Sequence, residues 1–163
     1  MAVDQYVAVI GAGEPDEALE QLAEEVGRAV ARRGARLVTG GLGGVMEAAS
    51  RGARSEGGLT VGILPGIDRR SANPHLDVAL PTGMGEMRNT LIVRSADAVI
   101  AVGGEFGTLS EIAFALKTGV PVVGLQTWEL AKQGRVVTAF PVVDSPAEAV
   151  EVALKSISGL TNT

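Results

Sequence analysis

Apolar positions along this chain fall into two patterns that alternate. Short, nearly continuous runs rich in valine and isoleucine, at residues 6–10, 36–39, 59–64, 98–102 and 121–125, stop at turn residues and predict strands. Their continuity suits parallel strands covered on both faces. Residues 77–80 and 136–143 predict further short strands. Between the strands the apolar period lengthens. Leu19, Leu22, Ala23, Val26 and Val30 share one helical face, leaving Glu20, Glu24 and Glu25 for the other. Residues 46–53, 88–96 and 108–117 predict the next helices. A last one opens with the capping box Ser145-Pro146-Ala147-Glu148 and continues through Val150, Leu154 and Ile157, before a small, polar tail at 158–163 that is expected to fray.

Alternating strands and helices predict right-handed crossovers and an α/β fold. It is a doubly wound, mostly parallel Rossmann-like sheet with helices on both faces, in a single domain spanning 1–163. No repeat, low-complexity block or linker divides the chain. Such sheets bind ligands beyond the strand carboxyl ends, where strand order switches, and the glycine runs of this chain lie at those ends.

Three glycine junctions differ in their chemistry. The first, Gly11-Ala12-Gly13-Glu14-Pro15-Asp16, fails as a dinucleotide fingerprint. Asp16 holds the third glycine position, and acids crowd the helix start, where they would repel a pyrophosphate. Gly11 and Gly13 could still let a ligand lie close to the backbone. The second, Gly40-Gly41-Leu42-Gly43-Gly44, carries no acid before Glu47, so its helix start is open to an anion; a tight packing turn is the alternative. The third, Gly103-Gly104-Glu105-Phe106-Gly107-Thr108-Leu109-Ser110-Glu111, carries the richest chemistry. Here Thr108 and Glu111 read either as a capping box or as site residues, and Glu105 places a carboxylate inside an anion loop. Of the arginines before it, Arg88 is the better anion ligand and Arg94 is structural or interfacial. His75 reads as locally hydrogen-bonded, and Trp128 as the cover of a pocket or an interface.

Composition narrows the functions. The 163 residues are 46% hydrophobic and 20% charged, an ordinary globular balance, and with 3% aromatics the core rests on Val, Leu, Ile and Ala. No cysteine is present, which removes thiolate nucleophiles and Cys-based metal sites, and no metal site is expected. A net charge of −5 weighs against nucleic acid as a partner. No apolar run reaches the roughly 18 residues of a membrane span. Residues 1–5 show no leader, so a cytoplasmic protein without membrane partners is expected.

Taken in order, these runs resemble the Lonely Guy (LOG) and molybdenum-cofactor carrier superfamily, often mislabelled lysine decarboxylase-like. Gly40-Gly41-Leu42-Gly43-Gly44-Val45-Met46 resembles its first motif, Arg88-Asn89 its Arg-Lys pair, and Gly103 to Glu111 its Pro-Gly-Gly-x-Gly-Thr-x-x-Glu run. The resemblance implies a small phosphorylated ligand, a nucleotide or a molybdopterin, held by Gly11, Gly13, Gly40, Gly41, Gly43, Gly44, Met46, Arg88, Asn89, Gly103, Gly104, Gly107 and Thr108. It also implies a homodimer or larger homo-oligomer. In LOG enzymes Arg88 and Glu111 would be the catalytic pair that hydrolyses the N-glycosidic bond of a nucleoside 5′-monophosphate. Asn89 for lysine, Gly103 for proline and Glu105 for glycine depart from that pattern, as expected of short uncharacterised bacterial relatives and molybdenum-cofactor carriers. The leading expectation is therefore a nucleotide-like ligand-binding protein, with a molybdopterin carrier as one specific form. The alternative is a phosphoribohydrolase, and a weaker one is DNA binding of the DNA-processing protein A kind.

Overall fold

In this computed structural model, which describes residues 4–160, seven parallel strands form one sheet. In chain order the strands are β1 (Tyr6–Gly11), β2 (Arg36–Thr39), β3 (Thr60–Leu64), β4 (Val78–Pro81), β5 (Ala98–Val102), β6 (Val122–Leu125), β7 (Ala131–Lys132), β8 (Arg135–Val136) and β9 (Val142–Val143). The helices are α1 (Glu17–Arg32), α2 (Val45–Ser55), α3 (Asn89–Arg94), α4 (Phe106–Thr118) and α5 (Pro146–Leu160). The sheet runs β4-β3-β2-β1-β5-β6-β9, and every pairing in it is parallel. The order therefore reverses between β1 and β5, whose carboxyl ends meet at Gly11 and Val102.

Strand parity divides the core. Val7 and Val9 of β1 pack with α1, α2 and α5 on one face, while Ala8 and Ile10 pack with α3 and α4 on the other. Both layers cover the sheet, which is why its strands read as unbroken apolar runs. Helices α1 and α2 approach so closely that a Cβ on Gly27 would sit 2.0 Å from the Ala49 carbonyl oxygen, and one on Gly52 2.0 Å from that of Glu24. Across this contact Arg51 donates to Glu24 at 2.8 Å and to Glu20 at 2.9 Å.

Some boundaries depart from the sequence reading. The helix expected at 88–96 divides into a 3₁₀ turn, Gly85–Arg88, and the short α3. The strand expected at 136–143 is instead one arm of the antiparallel β7–β8 hairpin, followed by a separate β9. Gln133 and Gly134, both at positive φ, turn that hairpin. At α5 the capping box forms, with the Glu148 amide donating to Ser145 Oγ at 3.3 Å, and the helix continues to Leu160. Residues 1–3 and 161–163, part of the start expected to show no leader and half of the tail expected to fray, lie outside the described residues, while residues 158–160 belong to α5. Among the described residues no helix is long and apolar enough to cross a membrane.

Candidate functional site

Where β1 and β5 diverge, a cleft of about 170 Å³ opens at the carboxyl edge of the sheet. Gly11 and Gly13 form its floor beyond β1, and Gly40 and Met46 line it from the β2–α2 side. Arg88 and Asn89 line it from the turn before α3, and Glu105, Gly107, Thr108 and Glu111 from the start of α4. Nine of the residues singled out in the sequence thus meet in one place: Gly11, Gly13, Gly40, Met46, Arg88, Asn89, Gly107, Thr108 and Glu111.

The amino end of α4 is open. Glu105 is its N-cap, yet no side chain caps the helix, and the first backbone bond is from the Leu109 amide to the Glu105 carbonyl at 3.0 Å. The amides of Phe106, Gly107 and Thr108 have no acceptor among the described residues. Unpaired amides at the start of a 13-residue helix are the arrangement that suits an anion. The capping-box alternative for Thr108 and Glu111 does not hold. Both lie inside α4, buried at 3% and 7% exposure, and the helix begins at Phe106, three residues before the Leu109 start that the box requires. By contrast α1 is closed by its own acid, since Asp16 Oδ1 accepts from the Leu19 amide at 2.8 Å. The failed fingerprint at Gly11 to Asp16 has that physical cause.

Arg88 and Glu111 supply the charges. Arg88 is 8% exposed; it donates through Nη2 to the Gly40 carbonyl at 3.3 Å and through Nη1 to Asn89 Oδ1, and its buried Nε has no partner among the described residues. Burial lowers the guanidinium pKa, against the opposing pull of Glu111 and Glu86. Glu111 accepts no hydrogen bond from a described residue. Burial pushes its carboxyl up to about 7, although the Arg88 charge pulls it down. The two groups therefore sense each other's charge without a direct salt bridge.

Gly40 fits this arrangement closely. A Cβ there would lie 2.6 Å from Met46 Sδ and 2.8 Å from Arg88 Nη2. The rest of the second glycine run does not reach the cleft. A Cβ on Gly41 would meet Leu64 at 2.6 Å, one on Gly44 the Gly13 carbonyl at 2.4 Å, and Gly43 has only Glu47 nearby, at 3.8 Å. The first amide of α2, at Val45, is taken by the Ala12 carbonyl at 3.0 Å. This run serves mainly as a packing turn. Gly103 and Gly104 also lie off the lining, facing Leu19 and Thr108, and shape the loop rather than the cavity.

Sequence reasoning missed Val9, Ile10 and Ile92 as lining residues. In a strand buried on both faces no polar alternation marks which residues border a cavity. The remaining singled-out residues have local roles. Arg94 stacks over Phe114 at 5.7 Å, and His75 Nε2 lies 3.9 Å from Glu47. Trp128 donates from Nε1 to the Glu105 carbonyl at 3.3 Å and rests against Phe106, with ring centres 5.6 Å apart.

Residues 4–150 match the model of the SLOG cluster4 family. An uncharacterised protein of Archaeoglobus fulgidus is 46% identical over 150 residues, which cover 92% of this chain and 95% of that one. A cytokinin riboside 5′-monophosphate phosphoribohydrolase of Mycobacterium tuberculosis is 38% identical over 136 residues, covering 77% of this chain and 72% of that one. Among solved structures, the molybdenum cofactor binding protein of the phototrophic bacterium Rippkaea orientalis superposes with a TM-score of 0.86 at 36% identity, over 97% of this chain and 99% of that one. A DNA processing protein A from Helicobacter pylori, 20% identical at a TM-score of 0.67 over 93% of this chain and 80% of that one, shares the fold alone.

Proposed function

The chain belongs to the SLOG cluster4 family, within the LOG and molybdenum-cofactor carrier superfamily, and from that premise we propose that it binds a phosphorylated, nucleotide-like small molecule in the β1–β5 cleft. The observation that carries this reading is the open start of α4. Three successive amides without acceptors among the described residues, two of them on the lining residues Gly107 and Thr108, stand beside a cleft that also holds the buried Arg88 and Glu111. A phosphate on the amides of Phe106, Gly107 and Thr108 would replace the missing cap, and Arg88 would add a cation within the same low-dielectric space. Asn89, standing where LOG enzymes carry lysine, accepts from Arg88 and so orients its guanidinium. The likeness to a molybdenum cofactor binding protein supports a molybdopterin as one specific ligand.

A second reading, hydrolysis, rests on Glu111. A carboxyl whose pKa is about 7 is matched to general acid–base work near neutrality. It would hold water against C1′ of a nucleoside 5′-monophosphate while the bond from C1′ to the base nitrogen breaks, giving ribose 5-phosphate and free base. The relationship to a phosphoribohydrolase supports this reading.

Calorimetric titration with AMP, GMP and inorganic phosphate, with chromatography of the nucleotide mixtures for free base, separates the two. Saturable binding without base release is the expected result. Base release that disappears in Glu111→Gln favours hydrolysis. Absence of binding by all three probes, or binding unchanged in Arg88→Gln, refutes the assignment of the cleft.

A further inference from the structure

Glu105 adds a second carboxyl to the cleft beside that of Glu111, and its charge opposes the proposed ligand at the open helix start. It lines the cavity at the start of α4, and its side chain has no hydrogen bond or ion pair with a described residue. The backbone that carries it is held on several sides. Its carbonyl accepts from Trp128 Nε1 at 3.3 Å, the neighbouring Phe106 ring rests on Trp128, and Thr127 Oγ1 donates to the Gly103 carbonyl. Gly104 at φ +119° packs so tightly on Thr108 that a Cβ would lie 2.5 Å from it. The backbone there is fixed, and the exposed Glu105 side chain extends from it beside the three open amides.

A phosphate on those amides and a carboxylate one residue before them repel each other, unless the rest of the ligand offers the carboxylate something to accept. An ionised carboxylate only accepts hydrogen bonds, and it binds two parallel N–H donors best. The cleft, at about 170 Å³, is smaller than the roughly 300–1,000 Å³ of sites that enclose a whole drug-sized ligand. A ligand that seats its phosphate on the amides would leave its ring at the mouth, on the side that Glu105 lines. The same cleft holds Glu111, 7% exposed and unbonded, and the buried, unpartnered Nε of Arg88, so the helix end is part of a built site.

We propose that Glu105 sets the ligand class. It selects planar rings that present a ring N–H beside an exocyclic amino group, the 2-amino-4-oxo edge shared by guanine and pterins, over rings such as adenine that present an acceptor at the corresponding place. The inference rests on the reading of the cleft as a phosphate-anchored, nucleotide-like site.

The test is calorimetric titration of the wild-type protein and of Glu105→Gln with GMP and with AMP, each in EDTA and again with Mg²⁺. Glu105 is exposed and packs on nothing, so the variant folds. Wild type is expected to bind GMP about ten- to a hundredfold tighter than AMP, the range of a charge-assisted hydrogen-bonded pair. In Glu105→Gln that preference falls to a few-fold, through weaker GMP binding with AMP unchanged or improved. Equal affinity for the two nucleotides in wild type overturns the inference and leaves the anion site standing. So does a variant that shifts both by the same factor, because charge repulsion alone then explains Glu105. GMP binding that requires Mg²⁺ reassigns the carboxylate to a bridging cation and also overturns it. If neither nucleotide binds, the reading of the cleft itself fails.

Discussion

Glu111 makes the stability of this protein depend on pH with a sign opposite to that of most carboxylates. Its ordinary value of 4.5 is raised to about 7 because burial penalises the charged form more than Arg88 rewards it. Between those values the folded protein holds a proton that the unfolded chain has already lost. Stability attributable to Glu111 is therefore complete below about pH 4.5 and is lost progressively as pH rises to about 7. At ~1.4 kcal/mol for each pH unit of displacement the loss amounts to roughly 3 kcal/mol. For a chain of this size that corresponds to about 6–12 °C in melting temperature. Glu111→Gln keeps the volume and removes the titration. The attraction of Arg88 acts only on the ionised carboxylate and is already contained in the value of about 7, so it adds no separate offset. Urea unfolding of both proteins from pH 4 to 8, followed by the fluorescence of the only tryptophan, Trp128, gives the difference in unfolding free energy as a function of pH. That difference should move by about 3 kcal/mol against wild type across the window and then level off. A difference that stays flat, or that moves in wild type's favour with rising pH, would falsify the account of Glu111 as a poorly solvated, unpaired acid.

Two glycines of the cleft should respond oppositely. No heavy atom lies within 4 Å of a Cβ built on Gly107, so Gly107→Ala fits and gains helix propensity of up to about 1 kcal/mol, while its methyl occupies the space beside the open amides. The urea midpoint should hold or rise as AMP and GMP affinity falls about tenfold or more; undiminished affinity would place the phosphate elsewhere. Gly40→Ala should do the reverse to stability. Its Cβ meets Met46 Sδ and Arg88 Nη2 within 3 Å, at a cost of about 1–3 kcal/mol, and moves the guanidinium off the Gly40 carbonyl. Nucleotide affinity should drop with it, and the pH-dependent loss assigned to Glu111 should grow as its nearest cation withdraws. A stable Gly40→Ala protein with normal affinity would show that Arg88 is not held as described.

The fold was legible because its signals are long-ranged along the chain. Five unbroken apolar runs alternating with amphipathic stretches leave few topologies, but the strand order, with its switch between β1 and β5, is read only from the structure. The cleft was partly legible, since glycines at strand ends and the Arg88 and Glu111 positions carry the resemblance. The remainder depends on three-dimensional packing that local sequence does not encode. Gly40 and Gly41 are identical letters one residue apart, yet one borders the cavity and the other packs on Leu64, because the turn reverses direction between them. The capping-box pattern at Thr108 and Glu111 is equally compatible with a helix starting at Phe106. Only the burial of both side chains shows which start the chain uses.

Binding and hydrolysis need the same grip on phosphate and diverge at Glu111. A carrier requires that the ligand's bonds survive, which favours a carboxyl that remains protonated and a cleft in which water has no oriented acceptor. A hydrolase requires that the same carboxyl lose its proton once the ligand's anion is neutralised. Arg88 is the element that could decide between them, because it is the charge nearest in effect to both groups. Held on a bound phosphate and on Asn89 Oδ1, it would lower the Glu111 pKa less, and the carboxyl would keep its proton to higher pH. Turned toward Glu111, it would favour the carboxylate that positions water. Asn89 in place of lysine removes a second cation that could serve the phosphate while Arg88 served the acid. On electrostatic grounds this substitution favours the proposed binding reading over hydrolysis.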